Sequence, residues 1–386
     1  MKYVITGIIF FLITYVASAQ VTTMDDVINA ALSNDPQIRM ADYEVGENKA
    51  LEKTAFDPNQ PSFGIEFPTD VGIGFEAEQN FSFPTVYTRK SKWLKSQTSL
   101  SEEAAVITRE KRVRDLRLLY LEAQVSQKQI ENHIYLDSLW REIAEKSKAL
   151  YDGGEINKAD LLFAERQSSI NYFALLQARV EYENLLATLS RYAGIPIQEV
   201  TDLSADTMAM YDSTGVFYFQ KYQQQQLDVI ENEMKWHQAE RLPGLSVGYL
   251  KVSEVDTEFR YRYKAGITIP IWQSQYTGLI EANKVQMEQR KVSAEMELRD
   301  AEISRNQWLT RLRQTRNAVT FFEQTALPQM KELITTYRRL FEGGELDYAL
   351  TLKNIAEVVS THDQYLDVLE GHQEAIIQLD FLNGQD

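Results

Sequence analysis

Two segments of the chain alternate between apolar and polar residues with the period of two that is typical of a β-strand. In residues 72–83 one parity is apolar apart from Gln79, and the other carries Glu76, Glu78, Asn80 and Ser82. In residues 259–269 the aromatic and aliphatic parity stands opposite Arg260, Arg262, Lys264 and Thr268. Shorter alternating segments cover residues 63–67 and 245–249. We therefore predict four strands, within about residues 62–83 and 244–270.

The rest of the pattern predicts long helices. Residues 85–150 contain neither proline nor glycine, so they can form one helix of about 100 Å at 1.5 Å per residue. Gly153 and Gly154 are expected to end it, because glycine tolerates the left-handed backbone of a helix C-terminus. Further helices are predicted over about residues 23–56 and 157–193, and Pro328 is predicted to kink the long helix of the second half.

The helix that follows each turn carries a coiled-coil seam, with apolar and small residues at alternating spacings of three and four. The first seam comprises Ala164, Ser168, Leu175, Ala178, Tyr182, Leu185, Leu189 and Tyr192, with Asn171 as a polar gap between Ser168 and Leu175. The second comprises Val358, Thr361, Tyr365, Val368, His372, Ala375, Leu379 and Leu382. We interpret His372 as a packed seam residue rather than a metal ligand.

The order of these elements occurs twice. The turn LYDGGEI at residues 150–156 corresponds to LFEGGEL at 340–346, and FSFP at 81–84 corresponds to ITIP at 267–270. PSFGI at residues 61–65 likewise corresponds to PGLSV at 243–247. Three landmarks in the same order predict two copies of one unit. We place a first repeat at 20–196, a linker or equatorial segment at 197–218 and a second repeat at 219–386, with turns at about 151–156 and 341–346.

The N-terminus predicts export. Residues 1–19 combine a positive start, an apolar core and the small-residue site Ala17-Ser18-Ala19, the pattern of a signal peptide.

The formal net charge of −16 argues against nucleic-acid binding. The chain contains no cysteine, and its four histidines lack the spacing of a helical metal site, so thiol chemistry is excluded and histidine chemistry disfavoured.

The alternating strands fit a membrane barrel, with one face toward lipid and one toward water, and a soluble half-buried sheet is the alternative interpretation. Four strands cannot close alone, and an open sheet edge is not tolerated in lipid, so several chains would each contribute four strands. The long helices would then continue the barrel as a water-filled conduit.

The chain resembles the TolC family of outer-membrane efflux proteins. The resemblance rests on TMDDVINAALSNDP at residues 23–36, on the two strand–proline–helix junctions and on the two turns followed by alanine-containing heptads. It implies a mainly α fold with a small β part, in which long coiled-coil hairpins and four transmembrane strands per chain assemble as a homotrimer with a 12-stranded barrel and an α-helical tunnel. It further implies an outer membrane of the Gram-negative type, with the tunnel extending into the periplasm to a periplasmic adaptor (a membrane fusion protein) and an inner-membrane RND-type pump.

The segment QNFSFPTVY at residues 79–87 further resembles the CusC/CzcC heavy-metal efflux branch, which implies heavy-metal cations as cargo conducted passively to the exterior. The sequence departs from many relatives in having no cysteine for lipid attachment.

The family resemblance also assigns candidate site residues. It implies that the two turns dock the adaptor and gate the tunnel, and we assign this role to Gly153, Gly154, Asp160, Gly343 and Gly344. Leu350 and Lys353 occupy positions where some relatives place acidic pore residues, so we take Glu345 and Asp347 as the substitutes for those acids. Strand parity, in turn, predicts that Glu76, Glu78, Arg260, Arg262 and Lys264 face the barrel lumen, where opposite charges on nearby strands could pair. Ordinary turn-flanking acids are the alternative interpretation of the acidic residues at the turns.

The competing class is a soluble periplasmic coiled-coil or adaptor protein, although an adaptor should carry a lipoyl-like β-domain, for which the sequence shows no pattern. No enzymatic motif is present: there is no nucleophile elbow, phosphate-binding glycine loop or metal-ligand cluster, so neither an activity nor a cofactor is predicted.

Overall fold

The computed structural model describes residues 21–67, 73–203, 219–252, 260–343 and 348–384. The predicted signal peptide lies outside these residues. The helices are α1 (Met24–Asn34), α2 (Pro36–Leu51), α3 (Pro84–Asp152), α4 (Lys158–Ala193), α5 (Gln220–Ala239), α6 (Ser274–Phe321), α7 (Leu327–Gly343) and α8 (Tyr348–Asn383). The strands are β1 (Val21–Thr22), β2 (Ser62–Glu66), β3 (Gly74–Phe81), β4 (Glu199–Val200), β5 (Gly244–Val252) and β6 (Arg260–Thr268).

The described residues divide into two compact units. The first contains residues 21–34, 116–203, 315–343 and 348–374, and the second contains residues 35–67, 73–115, 219–252, 260–314 and 375–384. Each unit draws on both predicted repeats, and the repeat boundaries stay a sequence prediction. Within the described ranges, no helix combines the length and the apolar character needed to span a bilayer.

The core of the first unit is formed by helices. Leu136, Leu139, Trp140 and Ile143 of α3 pack with Ala164 of α4, Ile334 of α7 and Leu352 and Ile355 of α8. The predicted seam residues Ala164, Leu175, Ala178 and Leu189 are buried, whereas Tyr192 is exposed and Leu186 is buried one position from the predicted Leu185. On α8, His372 is fully buried and its Nδ1 lies 3.1 Å from Thr315 Oγ1, so it packs within the seam.

A short parallel sheet of β1 and β4 is anchored to α3 in the same unit. The buried hydroxyl of Tyr120 donates to the Thr22 carbonyl (2.7 Å) and accepts from the Thr201 amide (2.8 Å). The Gln124 side chain also donates to the Thr201 carbonyl (2.8 Å). These polar bonds fix the start of the described chain and the segment that follows α4 against α3.

The predicted first helix over residues 23–56 is wrong in one respect, because it is broken at Pro36. The Thr23 hydroxyl accepts from the Asp26 amide, so α1 begins as predicted, but it ends at Asn34. The Asp35 carboxylate then caps α2 by accepting from the Gln37 amide (2.7 Å), and Arg112 Nε donates to the same buried carboxylate (2.7 Å). Proline lacks an amide hydrogen and favours the first position of a new helix.

The long helix of the second half is interrupted just before Pro328. Residues Phe322–Ala326 form a π-helical turn between α6 and α7. Since proline removes one backbone hydrogen bond and clashes with the preceding turn, a wider turn relieves both effects at once. A π-helical turn thus lies beside Pro328, where a kink was predicted, and the kink itself stays a prediction.

Candidate functional site

The second unit contains one antiparallel sheet in the strand order β2–β3–β5–β6 among the described residues. Directly paired residues place their side chains on the same face of a sheet. Ser62, Glu78, Gly248 and Lys264 form one cross-strand row, and Gly64, Glu76, Leu250 and Arg262 form the next. The alternation in the sequence is therefore continuous across all four strands, and the sheet has one polar and one apolar face.

The apolar face is open to solvent in the single chain. Phe63 is 80% exposed and Tyr263 is 86% exposed, and Ile65, Phe75, Val247 and Ile267 are also exposed. Two exceptions to the apolar pattern are Gln79 and Lys251, which share this parity. A contiguous exposed apolar surface of this kind marks a site of contact with another protein or with a membrane.

On the polar face, a lysine bridges two strands that are not neighbours. Lys264 Nζ of β6 lies 3.3 Å from Glu76 Oε1 and 3.2 Å from Glu78 Oε2 of β3. The intervening β5 contributes Gly248 to the row, and a Cβ atom there would lie 3.3 Å from the Lys264 Cβ and 3.5 Å from its Cδ. The glycine leaves the space through which the lysine side chain crosses about 10 Å of sheet.

Four of the five predicted lumen residues can be placed by side chain and register. Glu76, Glu78, Arg262 and Lys264 lie on the polar face, and the structure joins three of them in the ion-pair cluster. Arg260 pairs with Val252 in the same parity, but its side chain lies outside the described part of the structure. That this face lines a lumen stays a prediction.

The first predicted turn is a glycine-terminated helix end. The Glu155 amide donates to the Leu150 carbonyl and the Gly154 amide to the Tyr151 carbonyl, both at 2.9 Å, which is the Schellman pattern. Gly154 has φ +77°, whereas Gly153 does not adopt a positive φ. Of the two predicted glycines, only Gly154 therefore occupies the left-handed conformation.

The next helix, α4, begins at Lys158, four residues after Gly154. Asn157 Oδ1 accepts from the Ala159 amide (2.8 Å) and the Asp160 amide (3.0 Å), which fixes the N-terminus of α4. Asp160 lies in that first turn, where the helix dipole favours a negative charge. Lys158 Nζ lies 5.1 Å from the centroid of the Tyr151 ring, across the turn.

The second predicted turn is only partly described. α7 ends at Gly343 and α8 begins at Tyr348. Gly344, Glu345 and Asp347 lie outside the described residues. Their proposed role in gating therefore stays a prediction, as does that of Gly153, Gly154 and Asp160.

Two polar contacts near the helix ends were not predicted from the sequence. Glu142 of α3 forms an ion pair with Arg338 of α7 and lies 3.3 Å from Lys146. The hydrogen bond from Arg338 is the main cause that lowers the pKa of the Glu142 carboxyl below its ordinary value. The Glu142–Lys146 spacing of four was a readable signal, but the partner on α7 is far away in the sequence.

The π-helical turn is held by a tyrosine. The Tyr365 hydroxyl of α8 donates to Glu323 Oε1 (2.9 Å). Burial, aided by the neighbouring carboxylate, raises the pKa of Tyr365 to about 12.

In the described part of the chain, no cluster of three or more histidine and carboxylate side chains is arranged to hold a metal ion.

Several solved structures have a fold similar to that of this chain. One similar structure is that of CusC, a protein that forms a transmembrane channel. The similarity covers 92% of this chain and 91% of CusC (TM-score 0.77, 15% identity). The chain is similar over 94% of its length to 97% of the outer membrane protein VceC of Vibrio cholerae (TM-score 0.76, 13% identity). It is also similar over 94% of its length to 88% of the MtrE outer membrane channel of Neisseria gonorrhoeae in its open state (TM-score 0.73, 13% identity).

No protein-family model and no curated protein sequence match the chain. At these low identities the structural likeness establishes the fold: the chain folds like solved outer-membrane channel proteins along nearly its whole length.

Proposed function

We propose that the chain is one subunit of a homotrimeric outer-membrane channel of the TolC family. The observation that carries the proposal is the sheet with one exposed aromatic face and one ion-paired polar face, within the fold of outer-membrane channels. β5 and β6 each contain nine residues, the length of a strand that spans a bilayer at a tilt.

Barrel closure requires more than one copy of the chain. The strand order leaves β2 and β6 at the two edges of the sheet. An unpaired edge in lipid exposes backbone amides and carbonyls that water cannot solvate, so each edge needs a partner strand. Three copies joined edge to edge would close a 12-stranded barrel, within the size range of bacterial membrane barrels.

Helix surfaces support the same assembly. Phe173, Leu176 and Val180 form an exposed apolar row at coiled-coil spacing on α4. Val285, Val292 and Met296 form another on α6. Such rows are expected to pack against helices of neighbouring subunits and to build a helical tunnel wall.

The partners and cargo follow from the family resemblance. The turn at Gly154 and its counterpart after Gly343 would dock a periplasmic adaptor, which links the channel to an inner-membrane RND-type pump. The channel itself would conduct passively from the periplasm to the exterior.

Heavy-metal cations are the proposed cargo, supported by the motif at residues 79–87. A deletion strain that becomes sensitive to copper, silver or zinc salts would support this cargo, and one sensitive only to organic drugs would contradict it.

The assembly is tested by extraction and native mass measurement. We expect the mature chain to sediment with outer membranes, to require detergent for extraction and to form a trimer that conducts ions in planar bilayers. A detergent-free monomer would contradict the proposal and would favour the competing soluble coiled-coil or adaptor protein.

A further inference from the structure

Three strand ends that connect the sheet to helices lie at the same end of the sheet. β3 ends at Phe81 and runs into α3, and β6 ends at Thr268 and runs toward α6. β5 begins at Gly244, separated by four residues from the end of α5 at Ala239, and its first residues pair with these two strand ends. The chain therefore passes from sheet to helix at a single level.

Exposed apolar side chains are concentrated at this level. We call them the apolar collar: Phe56, Phe83, Leu242, Ile269, Ile271 and Trp272. All six belong to the short connections between helices and strands. Trp272 is 87% exposed and Ile271 is 79% exposed. Tryptophan with flanking aliphatic residues is typical of the interface between the hydrocarbon core and the headgroups of a membrane.

A row of unpaired cations follows the collar on the helical side. Residues 89–95 of α3 carry four cationic and no acidic side chains, in a chain whose formal net charge is −16. Lys90 lies 3.8 Å from Asp57, but Arg89, Lys92 and Lys95 form no ion pair with any residue that the structure describes. We call these three residues the cationic row.

The spacing and depth of the row fit a charged surface beside the collar. Its members are three residues apart, so they lie along one side of α3. They lie about 8, 12 and 17 Å along the helix from Pro84, and the headgroup layer on one side of a bilayer is about 5–8 Å thick. Because lysine and arginine side chains extend toward a polar phase from an apolar surface, the first two can reach that layer. The corresponding start of α6, from Ser274 to Asn283, carries no cation.

We propose that the cationic row, through Arg89 and Lys92, binds the phosphates of anionic lipid headgroups, with the apolar collar seated at the edge of the hydrocarbon layer. The inference rests on the proposed function, because it requires the sheet to lie in a membrane. The preference for anionic lipid would then be confined to the membrane surface on the helical side of the channel, and it would arise from α3 in the first half of the chain. Free phosphate offers the same charge but lacks the acyl chains that hold the headgroup at the collar.

The test uses the full-length channel in nanodiscs of phosphatidylcholine alone or with one-third phosphatidylglycerol. The variant Arg89→Gln/Lys92→Gln/Lys95→Gln removes the cationic row. The matched control Lys148→Gln/Arg166→Gln/Lys353→Gln removes the same number and types of exposed cations from helices of the first unit. Native mass spectrometry after transfer to detergent counts the lipids that each channel retains.

We expect wild type and control to retain phosphatidylglycerol relative to phosphatidylcholine at a ratio about tenfold above that of the membrane, and the row variant to retain the two lipids at the membrane ratio. Equal retention by wild type and row variant would overturn the inference, as would full suppression of retention by 10 mM inorganic phosphate, which would indicate simple anion binding. Insertion into phosphatidylcholine alone is scored first: failure to insert there contradicts the proposed function, whereas insertion without lipid preference contradicts only this inference.

Discussion

The Lys264 ammonium lies 3.2 Å from the Glu78 carboxylate although a complete strand separates their backbones. The contact is possible because Gly248, between them in the same cross-strand row, has no side chain. One cation is thus shared by Glu78 and Glu76, so the cluster carries a net negative charge.

Neutralising Lys264 should change ion selectivity more than stability. In Lys264→Gln the two carboxylates lose their cation, so a channel lined by this face should become more cation-selective. Because the Lys264 side chain is largely exposed, water screens its ion pairs, so the thermal stability of the fold should stay nearly unchanged. Reversal potentials across a salt gradient measure the effect, and Glu76→Gln/Glu78→Gln should shift them in the opposite sense. An unchanged potential in both variants would show that the polar face lies outside the conduction path.

Cysteine labelling can test the two faces directly, because the natural chain contains no cysteine. Phe75→Cys and Tyr263→Cys should react with lipid-soluble maleimides, since both positions lie on the apolar face. Glu76→Cys and Arg262→Cys should react with membrane-impermeant, water-soluble reagents added to channels in vesicles. The reversed pattern would mean that the polar face is turned toward lipid.

Gly153 and Gly154 offer a matched pair at the first turn. Gly154→Ala places a side chain at φ +77°, which should cost of order 1 kcal/mol of unfolding free energy. Gly153→Ala should be nearly neutral, because its Cβ would meet only ordinary contacts, the nearest being the Ala149 carbonyl at 3.5 Å. Thermal unfolding measures the stability of both alanine variants.

A proline at the same turn tests docking. If the turn docks the adaptor, Gly154→Pro should abolish efflux while trimers persist in the membrane. Normal efflux in this variant would argue against docking at the turn.

The Glu142–Arg338 pair predicts an acid-sensitive contact. The pKa of Glu142 is lowered in the folded chain, so the pair stabilises the fold above the ordinary value of 4.5 and is lost as pH falls below it. Because both side chains are partly exposed, the contribution should be about 0–1 kcal/mol. A double-mutant cycle with Glu142→Gln and Arg338→Gln at pH 7 and pH 3.5 measures it. A coupling energy that does not decrease at the lower pH would contradict the assignment.

Local features of this protein were determined by the sequence itself. Alternation in residues 72–83 set which side chains share a face, since a strand repeats every two residues. The helix end near Gly154 followed from one glycine, because only glycine adopts the left-handed conformation at little cost. The Asp35-Pro36 break was equally readable, as a cap followed by proline, but an uninterrupted helix was predicted there.

The tertiary structure decided which of these elements meet. A shift of two residues would keep both faces of the sheet intact, so parity alone could not choose the register that aligns Glu78, Gly248 and Lys264. Arg112 reaches Asp35 across 77 positions and Arg338 reaches Glu142 across 196, separations at which no local periodicity carries information. The π-helical turn has a local cause in Pro328. The hydrogen bond that holds this turn, however, is donated by Tyr365 of another helix to Glu323. These contacts arise from packing, which selects one register and one set of partners among many that the sequence pattern allows.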